Sequence, residues 1–424
     1  MRLVIRAGAS LLFVLGFAGQ ALAQRPAQTP SSEFAIPSVQ VPPPPGMIVS
    51  PCGAAIVCGG EFTAQPQAFY TSPNGGKVQT SADANLDLYA NYRFLSLYST
   101  LQLERQRDDN LDSYFVGRNT FFRSEGLTAR QLFVTVRPTA DLSVYGGKIH
   151  PGFGSAYDQV PGNFYTMGSD YEQDERIGLG AQYFLPKIDA LPDWLGHRLR
   201  VSFETFYLDT SVLSESVFSR PGLNDPDPTV RTYRYTRSQF GPSNTGSLAS
   251  YSVALKGGEP EHGLTYQISG TTEATADPTG KTTYGASIGA TYDPTGDGIP
   301  LGARLALTPF AEYTYVANYD NNPGLSREWL IAGAQFRYVR WMVTFAGGLR
   351  HTVDTNNAAG QPYTTMLAEQ ERRAWDHQEN LSINYAIPIA ISYNLSVGAG
   401  INHVVIAGRE SWSAGPWINY NIKF

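Results

Sequence analysis

Between Asp83 and Arg93 every second residue is apolar or aromatic: Ala84, Leu86, Leu88, Ala90 and Tyr92 alternate with Asn85, Asp87, Tyr89 and Asn91. A two-residue side-chain period belongs to a β-strand with one greasy and one polar face. The same rhythm returns along the chain. Leu97, Leu101 and Leu103 oppose Gln102 and Glu104. Leu199, Val201, Phe203 and Tyr207 oppose Arg198, Arg200, Ser202 and Glu204. Leu264, Tyr266 and Ile268 oppose Thr265, Gln267 and Ser269, and Tyr284, Ala286, Ile288, Ala290 and Tyr292 oppose Gly285, Ser287 and Gly289. Leu305, Leu307, Ala311, Tyr313 and Tyr315 oppose Arg304, Thr308, Glu312 and Thr314, and Trp341, Val343, Phe345 and Leu349 oppose Arg340, Thr344 and Arg350. One such stretch means little. Repetition from about residue 62 to the C-terminus restricts the chain to an all-β fold. A β-sandwich of this length needs several domains, and no linker divides the repeats.

Composition narrows the class. Only 16% of the 424 residues are charged, against about 25% in an average soluble protein. Tyr (25) and Gly (42) are abundant. After Ala23 no apolar run is long enough for a spanning helix; residues 386–407 come closest, and Pro388, Asn394, Asn402 and His403 interrupt them. This balance suits a closed barrel whose outer face meets lipid and whose inner face is polar. Tyr284 and Tyr292 share one face across eight residues, roughly 26 Å of strand. That is close to the apolar band of about 25 Å between the aromatic girdles of a membrane barrel.

The N-terminus reads as an export signal. Arg2 and Arg6 precede the apolar run Ala7 to Ala18, and Ala21-Leu22-Ala23 forms a small-residue cleavage site before Gln24. Losing Arg2 and Arg6 with no acid takes the formal charge from −6 to −8, which argues against nucleic acid as a partner. Residues 24–60 carry Pro42 to Pro45 and no lasting periodicity, the composition of an extended arm. Cys52 and Cys58 close that arm. In an exported chain such a pair favours a small disulfide loop; a zinc site is the alternative, and it lacks clustered His or further Cys.

The chain ends Pro416-Trp417-Ile418-Asn419-Tyr420-Asn421-Ile422-Lys423-Phe424, with Ile418, Tyr420, Ile422 and Phe424 on the greasy face. This strand resembles the terminal strand of Gram-negative outer-membrane β-barrels, which ends on an aromatic residue. The resemblance implies that Ile418, Tyr420, Ile422 and Phe424 are read by the barrel-assembly machinery and that the protein sits in outer-membrane lipid. Short links at 138–141, 257–262, Tyr338-Val339 and near Pro388 alternate with long ones at 107–125, 150–175, 209–246 and 352–375. Barrels place short turns in the periplasm and long loops outside. A periplasmic N-terminus then requires the weak segment 62–72 as a first strand. The expected fold is a closed antiparallel transmembrane barrel over residues 61–424, with about 16 strands and 14 or 18 as alternatives.

The inward face of that barrel carries Arg93, Arg137, Arg198, Arg200, Arg304, Arg337, Arg340 and Arg350, mostly near the periplasmic ends, together with Glu204 and Glu312. Charges lining a pore set ion selectivity; cross-lumen ion pairs that brace the wall are the other reading. Acids gather in outer loops, as Asp108, Asp109 and Asp112 and as Asp170, Glu172, Asp174 and Glu175. The stretch Gly146 to Gly154 is similar to a strand end common in porin-like families, and Gly146-Gly147 suits a β-bulge. The third outer loop of porins typically folds inward, which implies that 150–175 narrows the lumen through Asp158, Tyr165, Asp170 and Glu172; an ordinary surface loop is the alternative. Enzyme motifs are absent. The six histidines, His150, His197, His262, His351, His377 and His403, are scattered, and neither His403 with Ser411 nor His377 with Ser382 has a diagnostic spacing. No cofactor motif or metal cluster stands out. The expected function is passive passage of small hydrophilic solutes, compatible with a homo-oligomer. A non-conducting scaffold or adhesin is the second reading, and a barrel hydrolase the third.

Overall fold

A computed structural model describes residues 52, 56–72, 77–105, 120–121, 125–156, 167–186, 188, 199–214, 241–258, 264–292, 299–300, 305–354, 375–390, 393–406 and 408–424. The expected signal peptide and most of the Pro-rich arm lie outside these residues. Sixteen long strands follow in order. They are β1 (Val57–Ser72), β2 (Lys77–Tyr92), β3 (Leu95–Arg105), β4 (Glu125–Val136), β5 (Leu142–Ile149) and β6 (Arg176–Phe184). Then come β7 (Arg200–Leu208), β8 (Ser250–Gly258), β9 (Leu264–Glu273), β10 (Thr283–Tyr292) and β11 (Leu305–Ala317). The last are β12 (Leu325–Tyr338), β13 (Trp341–Asp354), β14 (Trp375–Ala390), β15 (Tyr393–Ile406) and β16 (Arg409–Lys423). Two-residue pieces, Thr120–Phe121 and Ile299–Pro300, pair beside the wall.

Each long strand pairs antiparallel with its neighbour in sequence, and β1 pairs with β16 from Glu61↔Lys423 to Ser72↔Trp412. The sheet therefore closes into a sixteen-stranded barrel with no free edge. The first strand, weak in sequence, is 16 residues long. It begins at Val57, ahead of the expected boundary at 61, and Cys58 is already paired with Ala90. Cys52 is disulfide-bonded to Cys58, with Cα atoms 5.9 Å apart. The bridge thus ties the arm to the sheet. Thiol labelling of unfolded, unreduced protein is expected to find no free cysteine; two reactive thiols would contradict the bridge.

The two-residue period sorts side chains as expected. Exposed Leu179, Phe203, Ile268, Ile288, Leu330, Phe345 and Leu381 form the outer band. Outward Tyr70, Tyr251, Tyr284, Tyr315, Trp375 and Trp412 lie near one end of the strands, and Tyr183, Tyr292, Tyr338 and Trp341 near the other. We call the end carrying the long connections 106–124, 150–175, 209–249 and 355–374 the upper end. The short–long alternation is less regular than expected. The upper end also has short links at 73–76, 274–282, 318–324 and 407–408, and at the lower end 185–199 and 293–304 exceed a tight turn.

The β-bulge falls elsewhere than at Gly146-Gly147, where the register runs without a slip. One register slip sits between β3 and β4: Thr100 faces Gln131 while Leu101 faces Ala129, so Arg130 is the extra residue; a second lies between β14 and β15, where Pro388 faces Asn394 and Ala390 faces Tyr393. Gly147 is needed for a different reason. Its φ is +139°, and a Cβ there would collide with the Leu132 carbonyl of the adjoining strand.

Candidate functional site

After β5 the chain turns into the barrel. Phe153, Ala156, Met167 and Tyr171 bury themselves against Phe310, Val316, Trp329, Ile331, Ala346 and Ile406. Phe153 meets Tyr171 edge-on at 6.2 Å, and Tyr171 meets Trp329 at 5.1 Å. The described parts of 150–175 therefore lie within the lumen, against the wall built by β9 to β15.

Polar contacts fix them there. Glu312, on the inner face of β11, accepts from Ser155 N at 2.6 Å, from Ser155 Oγ at 2.9 Å and from the Tyr171 hydroxyl. It is 3% exposed, so it serves the loop rather than the solvent of the lumen. Arg350 of β13 donates to Asp170 Oδ2 at 2.8 Å and, through Nε, to Asp376 Oδ2 at 2.8 Å. Asp170 also accepts from Trp329 Nε1 at 3.2 Å. Met167 N donates to Gln378 Oε1 at 3.1 Å, and Gln173 Nε2 to Thr271 Oγ1 at 2.8 Å. Gln267 Nε2 donates to the Gly154 carbonyl at 3.2 Å.

On the other flank Arg130 holds Glu172 and, at 3.0 Å, Asp174. His150 Nδ1 lies 2.6 Å from Asp174 Oδ1. Burial pushes the Glu172 carboxyl above its ordinary range, and the negative charge of Asp174 adds to the push, against the pull of Arg130 and His150. At the root of the loop Arg176 pairs with Glu273 at 2.9 Å.

The remaining expected residues are dispersed. Glu204 is 3% exposed and accepts from Ser252 Oγ at 2.7 Å. Arg200, Arg137 and Arg337 lie at the lower end of the wall. Arg93 and Arg340 do not line it: they sit in the tight lower turns, exposed, with Arg93 at φ +53° and its guanidinium 5.3 Å from the Tyr92 ring. Arg350 departs from the lower group and is buried in the upper half. Arg198, Arg304, Asp158, Tyr165 and the acids Asp108, Asp109 and Asp112 lie outside the described residues. From β14 round to β2 the inner face is polar, with Asn380, Ser382, Asn384, Asn402, Gln67 and Ser81. Phe69 and Tyr89 interrupt it, on the same parity as Gln67 and Ser81, and so does Trp417, 3% exposed. Its indole donates to Asn384 at 2.8 Å and occupies the space where a Cβ on Gly398 would stand.

No protein-family model matches the sequence, and no curated protein matches it significantly. Solved structures do match. The outer-membrane channel DcaP of Acinetobacter baumannii is 12% identical, with a TM-score of 0.51 over 89% of this chain and 99% of that one. OprB of Pseudomonas putida, in a high-pH structure, is 11% identical, with a TM-score of 0.52 over 87% and 94%. At these identities the likeness is one of fold: the barrel is built like those of solved outer-membrane channels.

Several residues of this site were invisible in sequence. Arg130 falls at the bulge, where parity stops predicting a face. Lys148 shares the outer side with Leu132 and Val134 by register, yet it is fully buried. Residues 209–214 fold over it, bringing Asp209 to 3.1 Å and the Leu213 carbonyl to 2.9 Å, with Glu175 at 3.7 Å. A usable signal existed for the loop's landing area. Phe310, Trp329 and Ile331 occupy positions of inward parity, where a water-filled lumen calls for polar side chains.

Proposed function

We propose that this protein is an outer-membrane, porin-like channel for passive diffusion of small hydrophilic solutes. The observation that carries the reading is the loop segment held inside a closed barrel by Glu312 and Arg350. A segment so placed reduces the bore on the β9–β15 side while the opposite inner wall stays polar. Selectivity then comes from charges along that wall, with Arg200 and Arg337 at the lower end. The apolar outer band and its aromatic borders support residence in outer-membrane lipid, and a homo-oligomer is compatible with it. The reading is of a channel, on the strength of that loop placement.

Planar-bilayer recording tests it. The wild-type protein is expected to give discrete conductance steps, and deleting 153–171 is expected to raise their size. Replacing Arg200 and Arg337 by Gln is expected to move the reversal potential toward cations, because two positive charges leave the wall. That shift weakens in 1 M salt, where the Debye length is about 3 Å. Repeated reconstitution without steps would end the channel reading and favour the scaffold, leaving the barrel intact.

A further inference from the structure

We propose that His377, Glu379 and His403 form a binding site for a borderline divalent transition metal of the Zn²⁺ class, on the outer face of the barrel near its upper rim. In sequence these residues are separated by up to 26 positions and form no metal motif. Register brings them together. Glu379 and His403 are direct cross-strand partners on β14 and β15, and His377 stands two residues above Glu379 on the same face. One ligand atom from each lies within 4.8 Å of the others. His403 Nδ1 is 2.8 Å from one Glu379 oxygen, and His377 Nε2 is 3.9 Å from the other. Zinc binds imidazole nitrogen and carboxylate oxygen at about 2.0–2.2 Å in a tetrahedron, so modest rotation of exposed side chains suffices to close the set.

A second observation points the same way. Metal-bound histidines as a rule give their other ring N–H to a carboxylate, which fixes the tautomer and the ring. His403 has that partner: its Nε2 lies 3.1 Å from Glu410 Oε1. Glu410 is itself held by Trp412 Nε1 at 2.8 Å, and the His403 ring stacks on the Trp412 ring at 4.1 Å and 21°. The ring is thus braced on one side and turned toward Glu379 and His377 on the other. Below this group the same strand faces carry Leu381, Ile383, Ile401 and Val397, all exposed and apolar. The group thus stands at the upper edge of the band, where charge on the lipid face costs little.

The donor set selects the metal. Two imidazoles and one carboxylate favour Cu²⁺, Zn²⁺ and Ni²⁺ over Ca²⁺ or Mg²⁺, which prefer oxygen. Three protein ligands leave a position facing outward for water or an anionic group. The other compact His and carboxylate group, His150 with Glu172 and Asp174, differs because Arg130 already binds both carboxylates.

The test uses the untagged, full-length mature protein in detergent, titrated with Zn²⁺ alone by calorimetry and with Co²⁺ by visible absorption. One Zn²⁺ per chain is expected, with Co²⁺ bands of a tetrahedral nitrogen–oxygen site. His403→Ala is expected to abolish the bands, and His377→Ala and Glu379→Gln to weaken Zn²⁺ binding at least tenfold. Glu410→Gln should keep one site while lowering affinity about 10- to 100-fold. Heat-modifiable migration on gels identifies which variants are folded, and His377→Ala at the exposed rim serves if His403→Ala does not fold. Equal Zn²⁺ affinity in the wild type and a folded His377→Ala variant overturns the site. Displacement of Zn²⁺ by millimolar Mg²⁺ overturns the metal class.

Discussion

A chain ending at Lys423 is expected to accumulate unassembled in the periplasm. Phe424 and Gly60 exchange both backbone hydrogen bonds, Gly60 N to Phe424 O at 2.8 Å and Phe424 N to Gly60 O at 3.0 Å. They fasten the lower end of the seam between the first and last strands. Phe424 is 57% exposed on the outer side, in line with Ile418. Two hydrogen bonds together contribute only about 1–3 kcal/mol, too little to unfold the barrel. A severe insertion defect would therefore belong to recognition of the ring. Phe424→Ala separates the two, since it keeps the backbone bonds and removes the aromatic. Heat-modifiable protein in outer-membrane fractions is the readout, and wild-type amounts from the truncated chain would refute the expectation.

Replacing Arg350 by Met is expected to be the most damaging single substitution in the lumen. The guanidinium is 4% exposed and serves two carboxylates, with Asp376 at 1%. Removing it takes the cation from a buried carboxylate, and breaking a buried pair costs about 3–5 kcal/mol. The urea midpoint of the barrel should fall accordingly, and channel conductance should rise as Asp170 lets go of the wall. Adding Asp376→Asn and Asp170→Asn to Arg350→Met should restore much of the stability, because uncharged partners no longer need the cation. A single variant within about 1 kcal/mol of wild type would show that solvent reaches Asp376 and that the pair is ornamental.

The barrel was legible because its cause is local. Tyr284 and Tyr292 point outward, 53% and 40% exposed, for the reason that alternation dictates. The strand count followed from the even number that bacterial single-chain barrels show, and it depended on accepting 62–72 as a strand despite its weak pattern. What remained hidden depends on register. Glu312 could be placed on the inner face, but not under Ser155 and Tyr171, which are 157 and 141 residues away in sequence. Arg350 looked like its fellow arginines, and only the pairing of β13 with β14 shows it beside Asp376. Arg130 was missed because one extra residue in β4 shifts the parity on which every such assignment rests. His377 and His403 looked scattered for the same reason: 24 residues separate Glu379 from its partner across the β14–β15 pair.

The seam has a consequence for the order of events in making the molecule. Glu61 pairs with Lys423, so the pairing that abolishes the sheet's edges has nearly the greatest contact order the chain allows. A nascent chain lacking β16, however long, is a curved sheet with two open margins and a greasy convex surface. Folding as the chain emerges therefore yields nothing closed before the residues of β16 are available to pair with β1. Once those residues dock, the entropy of the enclosed loop has been spent in a single step, and dismantling any one strand thereafter reopens the whole ring.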